Sequence, residues 1–270
     1  MLNMNELVGK ANFLFITFDT LRYDVACAEL AAGRTPCLAS VLPPHGWEKR
    51  HAPGTFTYAS HCAFFAGFLP TPATPGNHER LFALGFAGST TTGSASCVFE
   101  TGDIVSGFAT QGYRTLCIGG VGFFKKENPL SCVLPGMFQE SYWEPDFGVT
   151  DPQSTQHQVA FAVQRMRDLG DEKLFLFMNI SALHQPNCFY LPGATADSIE
   201  THAAALRYAD SQLAPLFEAF RERGDTFVIL CSDHGTTYGE DGYTGHRLAH
   251  EQVWNVPYAE FLMPGHAHGQ

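Results

Sequence analysis

The feature that most constrains this chain is a recurring unit: a short, continuous apolar run followed by a stretch long enough to form a covering helix. Four such runs read as buried strands: Asn12–Phe18 (NFLFITF), Arg114–Gly119 (RTLCIG), Lys173–Ile180 (KLFLFMNI) and Thr226–Cys231 (TFVILC), with Tyr258–Met263 as a fifth. Helical patterns fill Ala26–Ala32, Tyr58–Phe68, Asp103–Gln111, Ser154–Leu169 and Ala196–Arg223, each ending at or next to a glycine. This alternation predicts an α/β fold with a mostly parallel central sheet covered by helices on both faces. Hydrophobic residues make up 45% and charged residues 16% of the 270, enough apolar material for one substantial core. With no internal repeat and no dividing linker, residues 1–270 are expected to form a single domain. Pro70 to Gly102, rich in Pro, Gly, Thr and Ser, reads as a long connection with room for a short strand at Ala95–Phe99. The stretch Val121–Thr150 reads as irregular and aromatic.

The formal net charge is −11 and no Lys/Arg run exceeds two residues, so the basic stripe of a nucleic-acid groove is missing. A small anionic ester remains admissible as substrate if a metal and local dipoles offset the overall charge. Asn12–Phe18 is too short for a signal sequence or a membrane span, and the expectation is a cytoplasmic protein with no membrane partner. Eight cysteines are scattered without a C-x-x-C pair, which argues for reduced thiols rather than a cysteine zinc site. The oligomeric state is not set by the sequence.

Parallel α/β sheets place their sites beyond the carboxyl ends of strands. Asp19 follows the first strand, and Asp233 and His234 follow the fourth. Two carboxylates and an imidazole meeting at one mouth suit a divalent cation, Zn or Mn first, with Mg or Ca admissible. Alone, Asp-His-Gly reads as a turn. Gly235 lets the chain leave the sheet there. Thr57 stands where a helix begins. It reads either as an N-cap or as a nucleophile at a helix terminus that collects anions. His61, one turn later, is either a structural histidine or a contact for the transferring group. His184 ends the third strand and could bind a substrate oxygen, a second metal or a structural partner. His246 and His250 lie in a Gly-rich segment that is either a solvated loop or the source of a leaving-group proton.

Taken in order, these segments resemble the sulfatase-like branch of the alkaline phosphatase superfamily. Asp19-Thr-Leu-Arg-Tyr-Asp24 resembles the family's D-T-L-R-x-D, and Ala52-Pro53 to Gly67 resembles its A-x-x-x-x-T-x-P-S-H-x-S-x-x-T-G. His184-Gln-Pro resembles H-x-P, and Ser232-Asp-His-Gly235 through Gly245-His246 resembles S-D-H-G-x-x-x-G-E-x-G-x-x-G-H. The resemblance implies an alkaline-phosphatase-like three-layer α/β/α fold. It also implies one cation on Asp19, Thr57, Asp233 and His234, Thr57 as nucleophile, and His61 and His184 at the transferring group. His246 would assist the leaving group, a second cation through His184, His246 or His250 stays open, and Asp210 is structural. The formylglycine segment C-x-P-S-R is missing and position 57 is Thr, which favours phosphate or phosphonate esters over sulfate esters. The family's C-terminal subdomain is expected to be lacking. The expected activity is therefore metal-dependent ester hydrolysis through a covalent Thr57 intermediate. The alternatives are a phosphotransferase or mutase of the same superfamily and a catalytically silent metal-binding partner. A nucleotide-binding domain is disfavoured because neither G-x-x-x-x-G-K-[ST] nor G-x-G-x-x-G after a strand occurs.

Overall fold

A computed structural model describes residues 3–67 and 102–266. The long connection, its strand expected at Ala95–Phe99 and Cys97 lie outside the described residues. The strands are β1 (Asn12–Phe18), β2 (Glu48–His51), β3 (Arg114–Ile118), β4 (Glu140–Tyr142), β5 (Leu174–Ile180), β6 (Thr226–Ser232), β7 (Thr237–Tyr238), β8 (Thr244–Gly245) and β9 (Asn255–Met263). The helices are α1 (Met4–Leu7), α2 (Tyr23–Ala31), α3 (Pro36–Val41), α4 (Thr57–Ala66), α5 (Ile104–Thr110), α6 (Val133–Gly136), α7 (Ser154–Asp168), α8 (Ile199–Gln212), α9 (Ala214–Arg223) and α10 (Glu251–Trp254). Among the described residues, seven strands form one sheet in the order β2-β9-β6-β1-β5-β3-β4, and β7 and β8 form a separate hairpin. Pairing is parallel from β6 through β1, β5 and β3 to β4, while β9 runs antiparallel to both its neighbours.

β1 shows how the sequence builds three layers. Successive side chains alternate faces, so Leu14, Ile16 and Phe18 join a mainly aliphatic core with α2, α3, α7, α8 and α9. Phe13 and Phe15 join a mainly aromatic core on the other face with residues of α4, α5 and α6. With a core packed on each face of the sheet, every residue of β1 and β5 is buried. The fold class is thus the expected one: α/β, three layers, with a mostly parallel sheet.

Three local expectations need correcting. The helix read as Ala196–Arg223 is two helices, α8 and α9, parted at Leu213, because Pro215 cannot supply an amide to a continuous ladder. The strand read as Tyr258–Met263 starts at Asn255 and runs antiparallel. The edge strand β2 (EKRH) was not foreseen, since its charged, largely exposed residues carry no apolar pattern. Asp210 has a structural place. Its carboxylate accepts from the amides of Leu38 (2.7 Å) and Cys37 (3.2 Å) and so caps α3 from α8.

Candidate metal and nucleophile site

The sheet register brings the site together. Phe18 pairs with Ile180 of β5 and with Ser232 of β6, so the residues that follow these strands emerge at one edge. Thr20 adopts a left-handed conformation (φ 63°), which turns its amide toward Asp233 Oδ1 at 3.2 Å. Ser232 Oγ lies 2.8 Å from the Phe18 carbonyl and 2.7 Å from that of His234, joining the two strand ends. Gly235 has a role other than the one expected. Its amide donates to the Val253 carbonyl at 2.7 Å, and a Cβ there would meet the Gln252 carbonyl oxygen at 1.9 Å. Close backbone approach, rather than a special dihedral angle, makes this position glycine.

Asp19, Asp233 and His234 are fully buried, and one ligand atom from each lies within 4.8 Å of the others. Each carboxylate has one oxygen engaged and one spare. Asp19 Oδ2 accepts from Asn179 Nδ2 at 3.3 Å, and Asp233 Oδ1 accepts from the amides of Thr20 and His234, while Asp19 Oδ1 and Asp233 Oδ2 have no partner. His234 Nδ1 stands 2.9 Å from the Gly235 carbonyl. A carbonyl only accepts, so Nδ1 carries the proton and Nε2 presents its lone pair, the tautomer a metal ligand needs. Burial, aided by the Asp233 charge, raises Asp19 to about 6. Burial raises Asp233 to about 7 and lowers His234. Two buried carboxylates side by side cost several kcal/mol unless a cation neutralises them. Spare oxygens, ligand tautomer and donor chemistry all fit a divalent ion.

Thr57 is the first residue of α4, whose N-cap position, Phe56, offers no side-chain cap. Thr57 Oγ1 is 3.3 Å from Asp19 Oδ2 and 3.4 Å from His234 Nε2. The hydroxyl therefore faces the ligand set instead of capping its own helix. Ser60 Oγ donates to the Asp233 carbonyl at 2.7 Å and locks α4 onto the Asp-His-Gly turn.

The structure gives His61 a different place from the one expected. It is fully buried among Phe64, Phe65, Phe124 and Phe177, does not line the cleft, and has its Nδ1 3.8 Å from Asp233 Oδ2. Its Nδ1 donates to the Thr57 carbonyl at 2.7 Å and its Nε2 pairs with Thr17 Oγ1 at 3.0 Å. Asn179 donates to the same Thr17 oxygen at 3.2 Å. Burial lowers His61 to about 3, so it is a neutral link in a chain from Asn179 to the backbone of Thr57. His250 also stands apart: its Nδ1 accepts from the Gln252 amide at 3.1 Å and caps α10, and its Nε2 is 3.2 Å from Asp241.

A cleft of about 240 Å³ opens on Thr57, bounded by His184, His246 and Arg247 and by the apolar Val121, Phe123 and Leu130. The His246 ring lies 4.5 Å from that of His234 and 5.8 Å from that of His184. His184 Nδ1 is 2.5 Å from the Gln185 carbonyl, which leaves Nε2 unprotonated in the neutral ring. His246 Nδ1 is buried without a partner, and burial lowers this histidine to about 3.

Sequence reasoning gave no role to Asn179 or Arg247, nor to Arg22 and Glu240, although these two stand in the segments that carry the family resemblance. Asn179 had a signal: a polar residue closing an otherwise apolar strand. Arg22 is 2% exposed and is held by Asp24 (2.6 and 2.9 Å) and by Glu240, clasping the turn after β1 to the hairpin that carries His246. Arg247 had no distinguishing signal.

The fold is that of the alkaline phosphatase superfamily and its sulfatase-like branch, and the buried Asp19–Asp233–His234 set is a candidate metal site. The chain belongs to the sulfatase family, whose model matches residues 11–260. Its fold is similar to that of the C-terminal periplasmic domain of phosphoethanolamine transferase EptC from Campylobacter jejuni (14% identity, 94% of this chain and 79% of that one, TM-score 0.63). It is also similar to the soluble domain of lipooligosaccharide phosphoethanolamine transferase A from Neisseria meningitidis (15%, 94% and 77%, TM-score 0.62). A third similar structure is the periplasmic domain of EcEptC from Escherichia coli in complex with Zn (12%, 96% and 74%, TM-score 0.65). No curated protein matches the chain by sequence.

Proposed function

We propose that this protein is a metal-dependent hydrolase of phosphate or phosphonate esters that works through a covalent intermediate on Thr57. The observation that carries this reading is the place of the Thr57 hydroxyl. It lies within 3.4 Å of two members of the buried Asp19–Asp233–His234 set and on the floor of an open cleft. A divalent ion held by Asp19, Asp233, His234 and Thr57, zinc being the first choice for this donor set, supplies the positive charge that favours the Thr57 alkoxide and neutralises the transferring group. Thr57 Oγ forms a bond to phosphorus as the bond from phosphorus to the alcohol oxygen breaks. His246, neutral in the free protein, takes the hydroxyl proton and passes it to the departing alkoxide. His184 Nε2 contacts the transferring group, and His61 holds the Thr57 backbone through its carbonyl. Water then attacks phosphorus, the bond from phosphorus to Thr57 Oγ breaks, and a proton of that water returns to Oγ to restore the hydroxyl.

A transferase is the second reading, supported by the fold shared with phosphoethanolamine transferases, in which an alcohol replaces water in the last step. Turnover of 4-nitrophenyl phosphate with Zn²⁺ or Mn²⁺, followed by mass analysis of Thr57 after an acid quench, tests the common step. A phosphorylated Thr57 is the expected result. Turnover that survives Thr57→Ala overturns it. Adding glycerol or ethanolamine as acceptor separates the two: free phosphate alone marks the hydrolase, and a new phosphate ester marks the transferase.

A further inference from the structure

Among the described residues, Arg247 is the only Lys, Arg, Asp or Glu that lines the cleft over Thr57. Its backbone position is built: the amide donates to the Thr55 carbonyl, two residues before the nucleophile, at 2.9 Å. Its φ of 71° lies in the left-handed region, where a side chain costs roughly 1–2 kcal/mol relative to glycine. Among the described residues, no carboxylate pairs with its guanidinium. Two neighbouring polar residues of the wall are tied to each other. Asn128 and Ser131 bond each other, from the Ser131 amide to Asn128 Oδ1 (3.0 Å), from the Asn128 amide to Ser131 Oγ (3.1 Å) and from Ser131 Oγ to the Asn128 carbonyl (3.0 Å).

The charge balance gives this arginine its meaning. Two carboxylates, Asp19 and Asp233, would match one divalent ion, so that the ligand set is neutral while the Thr57 hydroxyl keeps its proton. The protein as a whole carries −11 and repels a dianion. Among the described residues, Arg247 is then the one fixed positive charge presented to an incoming anion at the cleft. A guanidinium fork spans two oxygens of a tetrahedral anion, and its attraction grows with the charge on those oxygens.

We propose that Arg247 selects a doubly charged transferring group, so that the site prefers phosphate monoesters over phosphodiesters and sulfate esters. This rests on the Thr57 chemistry proposed above and narrows its substrate class. Arg247 is a specificity-determining residue that acts through the outer oxygens of the transferring group.

The test uses the full chain with Zn²⁺ and three esters of one leaving group: 4-nitrophenyl phosphate, methyl 4-nitrophenyl phosphate and 4-nitrophenyl sulfate. Arg247→Gly removes the guanidinium and relaxes the left-handed backbone, so the fold is retained. The expected result is a loss of about 30- to 100-fold in kcat/KM for the monoester and less than about 3-fold for the other two. Arg247→Lys recovers only part, because it keeps the charge and loses the fork. Calorimetric binding of inorganic phosphate and of sulfate gives a second readout: the native protein prefers phosphate, and Arg247→Gly loses the preference. Equal losses for all three esters, or an unchanged phosphate preference, overturn the proposal. If the native protein turns over none of the esters, the Thr57 chemistry fails, and the binding comparison still decides the role of Arg247.

Discussion

At the amino end of the sheet, polar side chains are used on the chain itself. Asn12 Oδ1 accepts from the Leu174 amide at 3.1 Å, Lys173 Nζ donates to the Lys10 carbonyl at 2.8 Å, and Arg223 reaches the carbonyls of Met166, Gly170 and Glu172. Among the described residues at that end, Arg223 Nε is left over. At the carboxyl end, Asp19, Asp233 and His246 each keep a buried atom with no partner, and two of the three are acids with raised pKa values. The same strands thus end in two kinds of polar cluster. One is closed and holds the chain together. The other is open, and its unmet groups have the spacing of a cation site.

The largest expected effect tests the open end directly. Thr57→Ala should lower kcat by about 10³-fold or more while zinc affinity changes by less than about 10-fold, read by steady-state kinetics and by chelator competition. Next, Asp233→Asn should weaken zinc binding by about 100-fold or more, because a ligand oxygen is lost. The same variant should be more stable than the native protein when metal-free at pH 8, since one of two adjacent buried charges is gone.

The pH dependence sharpens the contrast further. The folded-state pKa values of Asp19, about 6, and Asp233, about 7, lie above the ordinary carboxylate value, so the folded state holds protons that the unfolded state releases. Their contribution to stability is fully present below pH 4 and is lost as pH rises through 6 to 7. Taken alone, they lower the metal-free melting temperature between pH 5 and pH 8 by at least about 3 °C, and zinc should restore it. A metal-free protein that gains stability over that range would break the assignment of the open end. The smallest effect on catalysis belongs to the closed end. Arg223→Met should cost about 1–3 kcal/mol of stability in denaturant titration and leave kcat within about 2-fold.

Much of this contrast was legible in the sequence, because strand ends are marked by an abrupt return of polarity. Phe18-Asp19 and Ser232-Asp233 locate the open end, and the apolar runs before them fix the parallel core. The rest depended on partners distant in the chain. His61 has the helical spacing of a residue facing the substrate, yet its ring turns into the aromatic core, because Thr17 and the Thr57 carbonyl satisfy both nitrogens there. Arg22 and Glu240 are 218 positions apart, and no local pattern marks them as partners. β2 was invisible because its pairing comes entirely from the backbone of β9, with a charged sequence that discourages further strands.

Gly235 carries a consequence for how this sequence can vary. It donates no side chain to any reaction, yet the carbonyl packed against its α-carbon leaves less room than a methyl group needs. In a saturation library selected for activity, position 235 should therefore be as intolerant as the residues that bind metal, with alanine already failing. Restricted variation there would record a spatial exclusion, not a chemical role.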